Sequence, residues 1–148
     1  MNIKRTGTAV LGALLLGFLP TVAGATPGSG VTATVLAKGT TEDSITLKAK
    51  GRTDVVFREI TIAPGGTTGW HYHPGQVLAV VKSGTLTRKL DDCSTEVTAT
   101  GGVVVEPAGH KHVHIGYNYG TEPVVLLVTY LVPEGSPLSV DMPAPSCS

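Results

Sequence analysis

The chain has 148 residues, a formal net charge of 0, 15% charged residues and 41% hydrophobic ones. That length suits one domain with a real core. No basic stripe is present to track a nucleic-acid backbone, and none to hold an anionic lipid surface.

The first residues read as a targeting segment. Lys4 and Arg5 form a short basic region, positions 6–19 are apolar and uncharged, Pro20 ends the run, and Ala23-Gly24-Ala25 is a small-x-small cleavage site. This is the pattern of a secretory signal peptide at residues 1–25. A membrane anchor fits less well, because a spanning helix needs roughly 20 apolar residues. Lys4-Arg5 is not the twin-arginine signal, which points to the general export route. Cleavage after Ala25 removes two cations and takes the formal charge from 0 to −2. The expected location is secreted or periplasmic, with no membrane attachment after cleavage. Export permits disulfides, and the mature chain has two cysteines, Cys93 and Cys147. They are expected to pair and to tie the C-terminal tail to the body. A redox pair or a metal site is the competing reading, and the long separation disfavours both.

Residues 26–30, TPGSG, read as a flexible linker. Strand-length segments then follow between turn residues. Val31–Leu36 alternates with threonine and alanine, Ile45–Lys48 is short, and Val55–Ile62 is rich in β-branched residues up to Pro64-Gly65-Gly66. Trp70–His73 stops at Pro74-Gly75. Val77–Val81 is continuously apolar, as expected of a central strand. Ser83-Gly84 turns the chain into Thr85–Leu90, and Asp91-Asp92 opens the next turn beside Cys93. Glu96–Thr100 and Val103–Val105 flank Gly101-Gly102, and Val124–Val132 is the longest apolar strand. No helical periodicity extends over three turns after Ala25. The expected body is a single all-β domain over residues 31–135, followed by a proline-rich tail at 136–148.

All five histidines lie in two clusters, His71-Tyr72-His73 and His110-Lys111-His112-Val113-His114. On a strand, residues i and i+2 face the same side. His71 and His73 therefore project together, and two facing strands would bring three or four imidazoles to one point. Imidazole is the commonest protein ligand of zinc, copper, iron and nickel. Trp70 and Tyr72 alternate with these histidines, so packing is their expected role.

The residues around both clusters resemble the cupin family. Gly65 precedes His71 by six positions, His71-Tyr72-His73-Pro74-Gly75 forms the His-x-His core of a first cupin motif, and Gly84 closes it. Gly101, Pro107, Gly109 and His112 follow the spacing of the second motif, with Asn118 two residues later than is usual. The resemblance covers residues 55 to about 132 and is closest to small exported bacterial cupins. It implies a cupin double-stranded β-helix, a jelly-roll barrel. It also implies one divalent metal ion, Fe, Mn, Zn, Cu or Ni, held by His71, His73 and His112.

The first motif departs from the family at its glutamate. That carboxylate usually stands four or five residues after the second histidine, where this chain has Val77 and Leu78. Gln76 is a candidate weak ligand nearby. His114 stands four before Asn118, the usual histidine–asparagine spacing, and is the alternative third histidine. Glu106 is a candidate acid or base, weighed against a solvated rim charge. Glu59 would replace the missing carboxylate if it faced inward. His110 is expected on the rim. A centre of this kind acidifies water or, with iron, binds dioxygen. The expectation is an exported metal-binding cupin acting on a small molecule, with dioxygenase-type chemistry its catalytic form. The alternative is a non-catalytic cupin that binds a metal or small ligand. A homodimer is an assembly open to it, and fold alone does not choose the reaction.

Overall fold

The computed structural model describes residues 28–146. The expected signal peptide, the start of the linker and Cys147 lie outside the described residues. Residues 28–33 are exposed and carry no strand.

From Thr34 onward the described chain is all-β. Its strands are β1 (Thr53–Ile62), β2 (His71–Tyr72), β3 (Gln76–Ser83), β4 (Thr85–Leu90), β5 (Thr95–Ala99), β6 (Val103–Glu106), β7 (His114–Tyr117), β8 (Val124–Pro133) and β9 (Val140–Asp141). They form two sheets, ordered β1-β8-β3-β6 and β5-β4-β7-β2-β9. Every strand pair is antiparallel. Two such sheets facing one another make the expected jelly roll.

The alternation of the sequence explains which faces meet. On β3, Val77, Ala79 and Val81 are buried, while Gln76, Leu78 and Val80 lie on the outer face and are half-buried. On β8, Val124, Leu126, Val128, Tyr130 and Val132 all point inward. These residues, with Ile62, Leu86 and Val104, form the core. Apolar burial at period two fixes the register, because a one-residue slip would turn this whole set to solvent. β3 lies between β8 and β6, which accounts for its continuous apolar run.

Two glycines are required by contacts. A Cβ on Gly75 would lie 1.9 Å from the Leu131 carbonyl oxygen, so only glycine lets β3 start against β8. Gly84 turns β3 into β4 at φ 77°, and a Cβ there would lie 2.8 Å from the Pro123 oxygen.

Four segments differ from expectation. Residues 31–36 and 45–48 form no strand; Val31, Val35 and Leu36 are more than two-thirds exposed. Alternation makes a segment suitable for a sheet but supplies no partner, and here the ladder contact of this region is one parallel bridge, Thr40 to Gly102. Residues 114–117 do form a strand, β7. The tail contributes β9, which pairs with β2 through His71–Asp141 and Tyr72–Val140.

Candidate metal centre

His71 and His114 are direct partners in the β2–β7 ladder, so their side chains enter the barrel side by side. His73 follows β2 after one inward–outward step and joins them. The ring centroids are 4.5 Å (His71–His114), 4.8 Å (His71–His73) and 5.2 Å (His73–His114) apart. One ring nitrogen from each lies within 4.8 Å of the other two. All three residues are buried.

Each ring is held by a backbone carbonyl. Nδ1 of His71 donates to Gly69 O at 2.9 Å, Nδ1 of His73 to Leu138 O at 2.6 Å, and Nδ1 of His114 to His112 O at 2.9 Å. A carbonyl only accepts, so Nδ1 carries the proton in each ring. A neutral imidazole in that tautomer offers its Nε2 lone pair. This is the outer support that orients metal-binding histidines. The Nε2 of His114 is buried and makes no hydrogen bond, an orphaned acceptor that a metal ion would satisfy. The residues present fit a divalent ion.

The third histidine of the buried cluster is His114, and His112 lies outside it. His112 is exposed, in the turn that follows Gly109, where its N–H donates to Gly109 O at 3.1 Å. The Pro107-Ala108-Gly109 turn therefore continues two residues further than the motif spacing implies. Asn118 sets the register from the other side. It is 1% exposed, and its Nδ2 donates to Ile62 O at 2.9 Å and Glu122 O at 2.8 Å. Its backbone exchanges hydrogen bonds with Gly65 and Gly66. β7 is pinned at its far end, and counting back four residues reaches His114.

Gln76 is not at the centre. It lies on the outer face of β3, where its Oε1 accepts from Lys48 N at 2.8 Å and its Nε2 donates to Thr46 O at 3.1 Å. Glu59 also faces outward, in an ion pair with Lys82 at 2.8 Å. His110 is exposed, as expected.

Glu106 is not a rim charge. Its side chain is 12% exposed, with Oε2 3.0 Å from His73 Nε2 and Oε1 3.3 Å from His114 Nε2. Burial pushes its carboxyl up, but the adjoining His114 and His73 outweigh this and hold it well below the usual range. Burial pushes His114 down, and the negative charge of the adjoining Glu106 carboxylate more than offsets that, raising it. Burial dominates at His71 and lowers it.

Two residues of the centre escaped the sequence reading. Arg88 is 7% exposed, donates to Glu106 Oε1 at 3.2 Å, and is also paired with Glu96. Tyr130 stacks edge-on to His73, with centroids 5.5 Å apart, and burial raises its hydroxyl. The signal for both was period two: Arg88 shares a face with Leu86, and Tyr130 with Val128 and Val132. The histidines, Glu106, Arg88 and Tyr130 line a cavity of about 50 Å³ between the sheets. A second cleft of about 210 Å³ reaches Arg88, Glu106 and His114 from the β4–β6 side and includes His112.

Residues 58–130 match the cupin-domain family. No curated protein matches the chain. Among solved structures, a protein with a double-stranded β-helix domain from Klebsiella pneumoniae subsp. pneumoniae MGH 78578 is 24% identical, with a TM-score of 0.51; the match covers 61% of this chain and 76% of that one. A recombinant oxalate oxidase in complex with glycolate is 24% identical, with 59% and 45% covered and a TM-score of 0.51. The DMSP lyase DddQ from Ruegeria pomeroyi DSS-3 is 18% identical, with 60% and 43% covered and a TM-score of 0.52. This chain matches less than half the length of the last two, and at these identities the likeness is one of fold. Residues 58–130 therefore resemble the cupin-domain family, and the described chain shares the double-stranded β-helix fold of the Klebsiella protein.

Proposed function

We propose that this protein is an exported cupin that holds one divalent metal ion through His71, His73 and His114 and uses it to bind or transform a small molecule. The observation that carries the reading is the shared tautomer. Three buried rings each spend Nδ1 on a backbone carbonyl, which leaves three Nε2 lone pairs directed into one small cavity. When bound, the ion supplies an open coordination position and a concentrated positive charge.

The chain's own residues set the rest of the chemistry. The backbone carbonyls orient the imidazoles, and the sheets exclude bulk water. A divalent ion with Arg88 exceeds the negative charge of Glu106 and Glu96, which favours a small anionic ligand. The cavity, about 50 Å³, limits that ligand to a few heavy atoms. The same confinement favours the second reading, a non-catalytic cupin that holds metal alone. Dioxygenase-type turnover is the catalytic form of the first reading.

Metal analysis of protein purified from its native host tests this. About one equivalent of a transition metal per chain is expected. Iron or manganese would direct attention to redox chemistry, and zinc to hydrolysis or a structural role. Protein that contains no metal and takes up none of Fe, Mn, Zn, Cu or Ni in titration would overturn the proposal. Export is tested separately, by sequencing the N-terminus of the mature protein, which is expected to begin at Thr26.

A further inference from the structure

The first motif has Val77 where a carboxylate is expected, yet a carboxylate stands at the centre. The β3–β6 ladder places Glu106 directly opposite Val77. Val104 on β6 faces the core, Val105 faces out, and Glu106 faces in again. Partners across an antiparallel ladder have Cβ atoms about 4.5–5.5 Å apart. A glutamate has the reach to bring its carboxylate to the same point from either strand.

The donor count around that carboxylate is informative. With Nδ1–H spent on carbonyls, the rings in their neutral form offer only acceptors inward. Glu106 adds two acceptor oxygens, 3.0 and 3.3 Å from the Nε2 atoms of His73 and His114. Lone pairs at hydrogen-bond distance repel unless a proton or a metal ion lies among them. Arg88 meets the carboxylate only at Oε1, the oxygen that also faces His114, and is itself anchored on Glu96. It positions the carboxylate and leaves Oε2 for a cation.

We infer that Glu106 is a direct metal ligand, completing a His71–His73–His114–Glu106 set in which the carboxylate has moved across the sheet from the β3 position to its β6 partner. This rests on the proposal that the histidines bind a metal, and Arg88 is then the positioning residue of the fourth ligand. The relocated carboxylate also explains why the barrel tolerates an apolar residue at Val77.

Cobalt(II) titration of the full mature chain, read by calorimetry and by the visible absorption of the bound ion, tests this. Glu106→Gln keeps shape and removes the charged ligand. Its affinity is expected to fall by more than the roughly 10–100-fold typical of outer-shell changes, and the spectrum to shift. The double variant Glu106→Val with Val77→Glu returns the carboxylate to β3 and is expected to regain the parent's spectrum and most of its affinity. An unchanged spectrum in Glu106→Gln would overturn the inference, whether or not affinity falls, because the coordination sphere would be intact. The isosteric variant decides the matter even if the double variant fails to fold. A parent chain that binds no cobalt, nor any of the five candidate metals, would instead overturn the metal-site proposal itself.

Discussion

His112 and His114 are two residues apart, which on a regular strand would make them equivalent. They are not equivalent here, because the turn from Gly109 runs through His112 and β7 begins only at His114. His112→Ala is therefore expected to leave metal affinity within about threefold of the parent, whereas His114→Ala is expected to lower it by at least about a hundredfold. Calorimetric titration separates the two. Comparable losses would mean that β7 shifts register in solution. Arg88 carries a different prediction. Arg88→Ala leaves Glu106 buried beside two histidines without its guanidinium, and breaking a buried ion pair in this way costs about 3–5 kcal/mol. Urea denaturation of metal-free protein measures it, and a loss below about 1 kcal/mol, the range of a surface pair, would show that Arg88 is solvated.

The Glu106–His114 pair also fixes a pH dependence in metal-free protein. His114 is raised above 6.5, so its stabilisation is complete below that value and is lost as pH rises through its folded value. Glu106 is lowered well below 4.5, so its stabilisation is present above 4.5 and is lost on acidification. The pair contributes most between 4.5 and 6.5. His71, lowered by burial, acts in the opposite sense and loses its contribution as pH falls below 6.5. Comparison with Glu106→Gln isolates the pair. With chelator present, the gap in urea midpoint between parent and variant is expected to be wider at about pH 6 than at about pH 9. An equal gap at both would show that His114 does not titrate with Glu106.

At the scale of elements, the strands with long alternating apolar runs are the legible ones. β3 and β8 carry unbroken alternation between core and outer face, and the sequence segments 77–81 and 124–132 fall inside them. Residues 31–36 carry the same kind of alternation but have no ladder. The second histidine segment reads as a motif, and a turn longer than the motif spacing hides its strand, β7. β9 is two residues in a proline-rich tail and has no periodicity to detect. Half of the site was legible for the same reason: His71 and His73 are fixed by local alternation, whereas Glu106 and Arg88 reach the centre through cross-strand register. Gly75 shows how tightly that register is held. Gly75→Ala would force a Cβ toward the Leu131 carbonyl, at the start of the same ladder that places Val77 opposite Tyr130. A destabilisation of about 3 kcal/mol, the upper end for overpacking, is expected by urea denaturation. A variant as stable as the parent would show that β3 can separate from β8 at its first residue without loss.

At the scale of the whole molecule, the tail is part of the centre's support. Leu138 accepts the Nδ1 proton of His73, Asp141 pairs with His71, and Met142 N donates to Trp70 O at 2.8 Å. A covalent tether at the end of this tail would hold all three contacts in place. Cys93 sits exposed in the β4–β5 turn at φ 70°, and its expected partner Cys147 lies just past the described residues. We propose that the exported protein closes this bridge. By chain-entropy reasoning, a loop of this length contributes roughly 4 kcal/mol. Denatured, unreduced protein from an oxidising compartment is expected to show no titratable thiol, and two thiols per chain would refute the bridge. Its consequence reaches the proposed metal site. Because the tail carries the carbonyl that orients His73, Cys147→Ser is expected to lower both the thermal midpoint and the metal affinity. Cys93→Ser should lower both by the same amount, since either substitution opens the same loop. A drop in stability without any change in affinity would mean that β9 holds the tail unaided, and that the bridge serves the fold alone.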